Sequence, residues 1–273
     1  MTKKEYRRVL TIAGSDPSGG AGIQADIKTI SACGCFATSA IVAVVDENTV
    51  GVTGVHPVPV PFVTGQIRSV LDDIGTDAIK IGMLHSSELI RAVRKTLDDY
   101  PDVRNIVLDP VMVATSGDPL LQADAVDTLR SVLIPRARII TPNIPEAEIL
   151  FNTKIEHQES LPEVARQLSD CCGDVSVFLK AGHLTDERLV DVFYNAENGK
   201  ITQLESRRLD TVNTHGTGCT LSSALASFLA QGMDLDSAAK SAKNYITAAI
   251  EAGSQYAIGH GHGPVHHFYS FWR

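Results

Sequence analysis

A chain of 273 residues with 44% hydrophobic and 21% charged residues has room for one sizeable core and excludes a disordered or fibrous protein. Its net charge of −8 leaves no broad basic surface for a polyphosphate backbone, so nucleic acid is excluded as an expected partner. No apolar stretch reaches membrane-spanning length, and Val9 to Ala13, after the basic Lys3-Lys4 and Arg7-Arg8, is too short for a signal peptide, so no membrane partner is expected either.

The first predicted strand is Val9 to Ala13, followed by a helix with Ile23, Ile27 and Ile30 at spacings of four and three. Ala40 to Val45 is a continuous apolar run and reads as one strand buried on both faces. A helix carrying Ile67, Val70, Leu71 and Ile74 leads to a strand from Ala78 to Met83. Ser86 then caps a helix with Leu89, Ile90, Val93 and Leu97. Strand Asn105 to Leu108, a helix with Val126, Leu129, Val132 and Leu133, strand Arg138 to Thr141 and a short helix around Glu146 come next. Strands Val175 to Leu179, Leu189 to Tyr194 and Ile201 to Glu205 follow. Two helices close the chain, about Thr217 to Gln231 and Leu235 to Ala252.

This alternation predicts an α/β fold, a mostly parallel sheet covered by helices on both faces. No linker, repeat or charge block interrupts it, so one domain over residues 1–273 is expected. The five cysteines (Cys33, Cys35, Cys171, Cys172, Cys219) form no zinc-like pair of spacings. Adjacent Cys171 and Cys172 suit a bridge poorly, so reduced thiols and a cytoplasmic home are expected.

Ligands on such sheets bind beyond the carboxyl ends of the strands. Asp16, Glu47, Met83, Asp109, Asn143 and Lys180 each fall at or just after a predicted strand end, which reads as an active-site rim.

Four segments can carry chemistry. Gly14 to Asp26 is glycine-rich and lacks the Gly-Lys-Ser/Thr ending of a P-loop. Within it, Gly20-Ala-Gly-Ile-Gln-Ala25 matches G-x-G-x-x-A, which keeps an NAD(P)-dependent oxidoreductase open as an alternative. Against that reading, the glycines begin several residues past the strand and the rim is acidic. Asn213 to Cys219 opens a helix with small residues, where free N–H groups and the helix dipole would stabilise a transferring phosphoryl group. Cys219 in the first turn is expected to be acidic enough to accept a proton, although a lone cysteine is more often a small core residue.

Asn143-Ile-Pro-Glu146 taken alone is a helix capping box. With Asp109 at another strand end, Glu146 also offers the separated carboxylates that suit a hydrated Mg²⁺. Lys180 can act as a point charge on nucleotide phosphates. The tail holds His260, His262, His266 and His267, but the glycines between the first pair and the lack of a nearby acid argue against a metal site.

Together, Ala13 to Asp26, Asp109-Pro-Val-Met-Val113, Thr141 to Glu148 and Thr214-His-Gly-Thr-Gly-Cys219 resemble the hydroxymethylpyrimidine/phosphomethylpyrimidine kinases, a branch of the ribokinase-like superfamily. Gly261-His-Gly-Pro-Val265 is similar to that family's ending. The resemblance implies a three-layer ribokinase-like fold. It also implies transfer of the ATP γ-phosphoryl group to 4-amino-5-hydroxymethyl-2-methylpyrimidine and its monophosphate, for thiamin biosynthesis. By motif it implies Cys219 as proton acceptor, Gly216 and Gly218 as an anion hole, and Asp109 and Glu146 as Mg²⁺ ligands. Asn143, Lys180 and Lys243 would meet the nucleotide; Asp26, Glu47, Met83 and Val111 would line the pyrimidine site. A homodimer is implied as well.

Two departures stand out. Glu47 precedes Asn48-Thr49 where the family usually has Gln, and a carboxylate accepts hydrogen bonds but donates none. Thr115 stands where the family commonly has Lys. Pyridoxal kinase, on the same fold, is the alternative enzyme. A non-catalytic ligand sensor is a further alternative, and would be expected to have lost Cys219, a helix-start glycine or an acid.

Overall fold

The computed structural model describes residues 4–112, 121–122, 124–184 and 186–272. Thr115 lies outside the described residues. Eight strands form one sheet in the order β10-β9-β8-β7-β6-β5-β1-β2. Strands β1 (Arg8–Ala13), β2 (Phe36–Ile41), β5 (Ala78–Ile81), β6 (Ile106–Leu108), β7 (Ile139–Ile140) and β8 (Ser176–Leu179) run parallel. β9 (Arg188–Asn195) and β10 (Lys200–Arg207) complete one edge antiparallel. This is the expected three-layer ribokinase-like architecture.

Alternation along the strands sorts the side chains into two cores. Leu10, Ile12, Ile79 and Ile81 face one layer of helices: α2 (Val60–Asp73), α3 (Ser87–Asp98), α5 (Ile144–Phe151) and α6 (Leu161–Cys171). Val9, Ala78, Ile139 and Phe178 face the other layer, α1 (Gly22–Ala32), α7 (Thr217–Ala230) and α8 (Leu235–Gly253). Right-handed crossovers require this division. The path from β1 through α1 to β2 runs toward one edge, whereas β5 to β8 runs toward the other, so the covering helices change face. The reversal between β1 and β5 opens a crevice at the carboxyl ends of these strands.

Several elements differ from expectation. The apolar run Ala40 to Val45 is not one strand. Val42 N–H still bonds to Ala13 at 3.0 Å, but Ala43 C=O accepts from Ser15 N–H, and the chain turns out of the sheet. From there β3 (Ala43–Glu47) pairs antiparallel with β4 (Val52–Pro57) as a separate two-stranded flap. Strand β4, interrupted by Gly54 and ending in a proline, carries little strand signal. Helix α6 was also not expected, although Leu161, Val164, Ala165 and Leu168 bury one face. The helix expected across Val126 to Leu133 is a single turn, α4 (Ala125–Thr128), continued by a π-helical turn over Leu129–Leu133. Ser86 caps α3 as expected, accepting from Leu89 N–H at 3.3 Å.

Candidate active site

A cavity of about 640 Å³ lies along the carboxyl ends of the parallel strands. Asp16, Met83, Asp109, Asn143 and Lys180 reach it from positions just past β1, β5, β6, β7 and β8. Glu47 also lines it, but arrives on the flap strand β3 and not from the main sheet. Val111, Gly216, Gly218, Cys219 and Lys243 complete the set of expected residues that border the cavity.

Asp26 is the exception. It was expected to line the pyrimidine site, but it is fully buried on α1 beneath the cavity. Lys80 Nζ donates to both its oxygens at 2.8 and 2.9 Å, while Thr11 Oγ1 and Ser223 Oγ donate at 2.6 and 2.7 Å. A carboxylate holding four such contacts has little left for a ligand.

Helix α7 begins at Gly216, in the left-handed region with φ 76°, and no side chain caps it. A Cβ at Gly216 would fall on the Gly20 carbonyl, so only glycine permits this approach of the two loops. A Cβ at Gly218 would stand 3.2 Å from both Asp109 Oδ2 and Lys180 Nζ. The glycine pair therefore leaves a space bordered by an uncapped helix start, a carboxylate and an ammonium.

Lys180 Nζ lies 3.1 Å from Asp109 Oδ1 and 3.8 Å from Glu146 Oε2, and Thr141 Oγ1 donates to the same Asp109 oxygen at 2.9 Å. The capping box of α5 is complete: Asn143 Oδ1 accepts from Glu146 N–H at 2.9 Å, and Glu146 Oε2 accepts from Asn143 N–H at 2.7 Å. Asn143 thus has its carbonyl committed to the helix, which leaves its amide NH₂ for a ligand. Burial holds the Glu146 carboxyl up at about 7 against the pull of Lys180, and Asp109 adds to the rise. The all-oxygen donors of Asp109 and Glu146 fit Mg²⁺, with Lys180 beside both as their counter-charge.

Cys219 differs from its expected acidity. Burial pushes its thiol up to about 11; Asp26 and Asp109 push the same way, and Lys80 pulls against them. Burial and the nearby acids outweigh Lys80 and the Gly22 N–H, which favour the thiolate. Lys243 borders the cavity, but its ammonium is tied to Asp191 Oδ2 at 2.7 Å and Ser206 Oγ at 2.9 Å.

Two buried side chains that contact the expected site residues were missed in the sequence. Lys80 is a lone lysine in the apolar strand Ala78–Ile81, and that anomaly was its only signal. His215 sits inside the Thr214 to Cys219 motif without an assigned role. Its Nε2 lies 2.8 Å from Asp16 Oδ2 and 3.9 Å from Glu47 Oε1. Asp16, although buried, is held well below the usual carboxylate range by hydrogen bonds from His215, Ser18 and Ala21. In the tail, the backbone N–H groups of His262 and His260 donate to Thr49 C=O at 2.8 Å and Thr49 Oγ1 at 3.2 Å, and His267 Nε2 meets Thr220 Oγ1 at 3.2 Å.

The model of one family, described as phosphomethylpyrimidine kinase, matches residues 16–266. The hydroxymethylpyrimidine/phosphomethylpyrimidine kinase of Escherichia coli K12 is 44% identical over 96% of this chain and 98% of that protein. Among solved structures, a phosphomethylpyrimidine kinase from Clostridium difficile 630 is similar at 40% identity and a TM-score of 0.78, over 89% of this chain and 99% of that one. A Bacillus subtilis pyridoxal kinase in complex with ADP is similar at 36% identity and a TM-score of 0.86, over 96% and 98% of the two chains.

Proposed function

The chain belongs to the phosphomethylpyrimidine kinase family, and from that premise we propose that it transfers the γ-phosphoryl group of ATP to the hydroxymethyl group of 4-amino-5-hydroxymethyl-2-methylpyrimidine. The monophosphate is the second substrate, and the resulting pyrophosphate serves thiamin assembly. The oxidoreductase and sensor alternatives are set aside by this membership. We read residues 1–273 as one kinase domain, acting in the cytoplasm as a homodimer.

The observation that carries the reading is the space at Gly218, 3.2 Å from Asp109 and Lys180 at once and opening on the first turn of α7. There the start of α7, which no side chain caps, receives the transferring phosphoryl group, and Lys180 meets the nucleotide phosphates. Asn143 offers its amide to the same phosphates. Lys243, tied to Asp191, shapes the nucleotide end and does not reach out to it. Asp109 and Glu146 would hold Mg²⁺, which would offset the charge developing on the phosphates. Met83 and Val111 supply the apolar walls and Glu47 the polar edge for the ring. In the fraction of molecules whose thiol is ionised, the Cys219 thiolate accepts the proton of the attacking hydroxyl and becomes the thiol.

Pyridoxal is the competing alcohol, because a pyridoxal kinase matches the fold at a TM-score of 0.86. A coupled ATPase assay with Mg²⁺ should offer the pyrimidine alcohol, its monophosphate and pyridoxal in parallel. The highest kcat/KM is expected on the pyrimidines. Turnover of none of the three would overturn the reading, and a higher kcat/KM on pyridoxal would replace it with the second.

A further inference from the structure

The alcohol end of the cavity contains a linked set of three groups, Asp16, His215 and Glu47, of which the reaction as described gives a role to Glu47 alone. Asp16 Oδ2 accepts from Ser18 Oγ, Gly20 N–H and Ala21 N–H at 2.9, 3.0 and 2.6 Å, and stands 2.8 Å from His215 Nε2. A carboxylate so filled only accepts, so the proton between the two belongs to His215. Burial pushes the His215 imidazole toward its neutral form, but Asp16 and, further off, Glu47 outweigh it and hold its pKa above the ordinary value.

The imidazole is boxed in. A Cβ at Gly20 would strike its ring and would lie 3.0 Å from Pro264. His215 N–H bonds to Gly263 C=O at 3.0 Å. The same tail segment holds the flap tip, through His262 N–H on Thr49 C=O at 2.8 Å. The register of β3 against β4 shifts between Asp46 and Glu47, and a bulge of this kind re-aims the side chain that follows it. Glu47 Oε1 thereby comes to rest 3.9 Å from His215 Nε2, a charge contact short of a hydrogen bond, while bordering the cavity beside Met83 and Val111. Asp16 faces its own loop, so Glu47 is the acceptor of the three that a ring can meet.

We infer that His215 is a positioning residue for substrate choice: held by Asp16, it keeps the Glu47 carboxylate at the cavity edge, where that carboxylate selects rings presenting two adjacent donors, an amino group beside a protonated ring nitrogen. Such an edge pairs with a carboxylate through two charge-assisted hydrogen bonds, whereas an oxo group in place of the amino group sets oxygen against oxygen. This deepens the kinase reading and rests on it for the identity of the ring. The amide that the resemblance leads one to expect at position 47 can turn to suit either ring.

The test is calorimetric binding to the full chain of 4-amino-5-hydroxymethyl-2-methylpyrimidine and of its 4-oxo counterpart, without nucleotide. The chain is expected to favour the amino ring by roughly tenfold. In His215→Asn and in Glu47→Gln that ratio should fall to within about twofold, and the double variant should fall no further, because the two residues act in series. A ratio that persists in His215→Asn, or losses that add in the double variant, would overturn the inference. Should His215→Asn fail to fold, Glu47→Gln decides alone, and an unchanged ratio there has the same force. If the chain phosphorylates no alcohol yet shows these ratios, the kinase reading falls and the positioning role stands.

Discussion

Proton transfer at Cys219 has to work against the acids around it. With its thiol up at about 11, the ionised fraction grows about tenfold per pH unit through the neutral range. Turnover at saturating substrate should therefore rise between pH 6 and pH 9 if the thiolate takes the proton. Cys219→Ala should lose about 10²-fold or more in turnover and lose that rise, while still binding ADP. A Cys219→Ala enzyme with the parent rate and pH profile would make the thiol a packing group. At this scale the sequence was informative where a polar residue ends an apolar run, as at Asp109 and Lys180, because strand ends project onto the cavity. It misled at Asp26, whose spacing from Asp16 hides a helical turn that carries it under the floor. His215 was not legible, since its meaning comes from Asp16 and Glu47, which are 199 residues away in the first case and on a flap whose second strand gave no signal.

At the scale of elements, the start of α5 joins a structural device to the chemistry. Glu146 caps the helix and sits beside Lys180, and its carboxyl is held at about 7 in the folded chain against 4.5 ordinarily. The folded state therefore keeps a proton that the unfolded state has released, and stability should fall as pH rises from about 4.5 to about 7. The slope is at most about 1.4 kcal/mol per pH unit. Urea midpoints at pH 5, 6 and 7 should show the decline, and Glu146→Gln, which can still accept from Asn143 N–H, should flatten it. An identical slope in the variant would assign the decline to other groups. The same helix was legible as a capping box from Asn143-Ile-Pro-Glu146 because its partners are local. The break at Val42 was not, because Ala40 to Val45 is uniformly apolar and its two halves part company only through the bonds that Ala13 and Ser15 make.

For the whole molecule, the buried pair Lys80 and Asp26 ties four elements together: β5 and α1 through the pair itself, β1 through Thr11 and α7 through Ser223. Lys80 is fully buried, and despite that burial the adjacent Asp26 keeps its ammonium charged. Lys80→Met leaves an unpaired buried carboxylate and should cost about 3–5 kcal/mol of stability by urea unfolding. Lys80→Met with Asp26→Leu should recover most of that loss. A single variant as stable as the parent would show that the pair contributes little to the fold. The parallel order and the layering were readable from strand and helix alternation alone, since right-handed connections leave few other arrangements.

The division of the helices between the two faces also orders events at the ribosome. The face of the sheet under α2, α3, α5 and α6 can be covered as soon as residue 171 has emerged. Of the three helices over the opposite face, only α1 is made early, between β1 and β2, while α7 and α8 arrive between residues 217 and 253. Until then Val107, Ile139 and Phe178 have no cover, so the nascent chain offers an apolar sheet face to chaperones or to neighbouring chains during the last part of its synthesis. The turn that brings Cys219 to the phosphoryl space forms in that same closing step, and a released but truncated chain would be both sticky and inert.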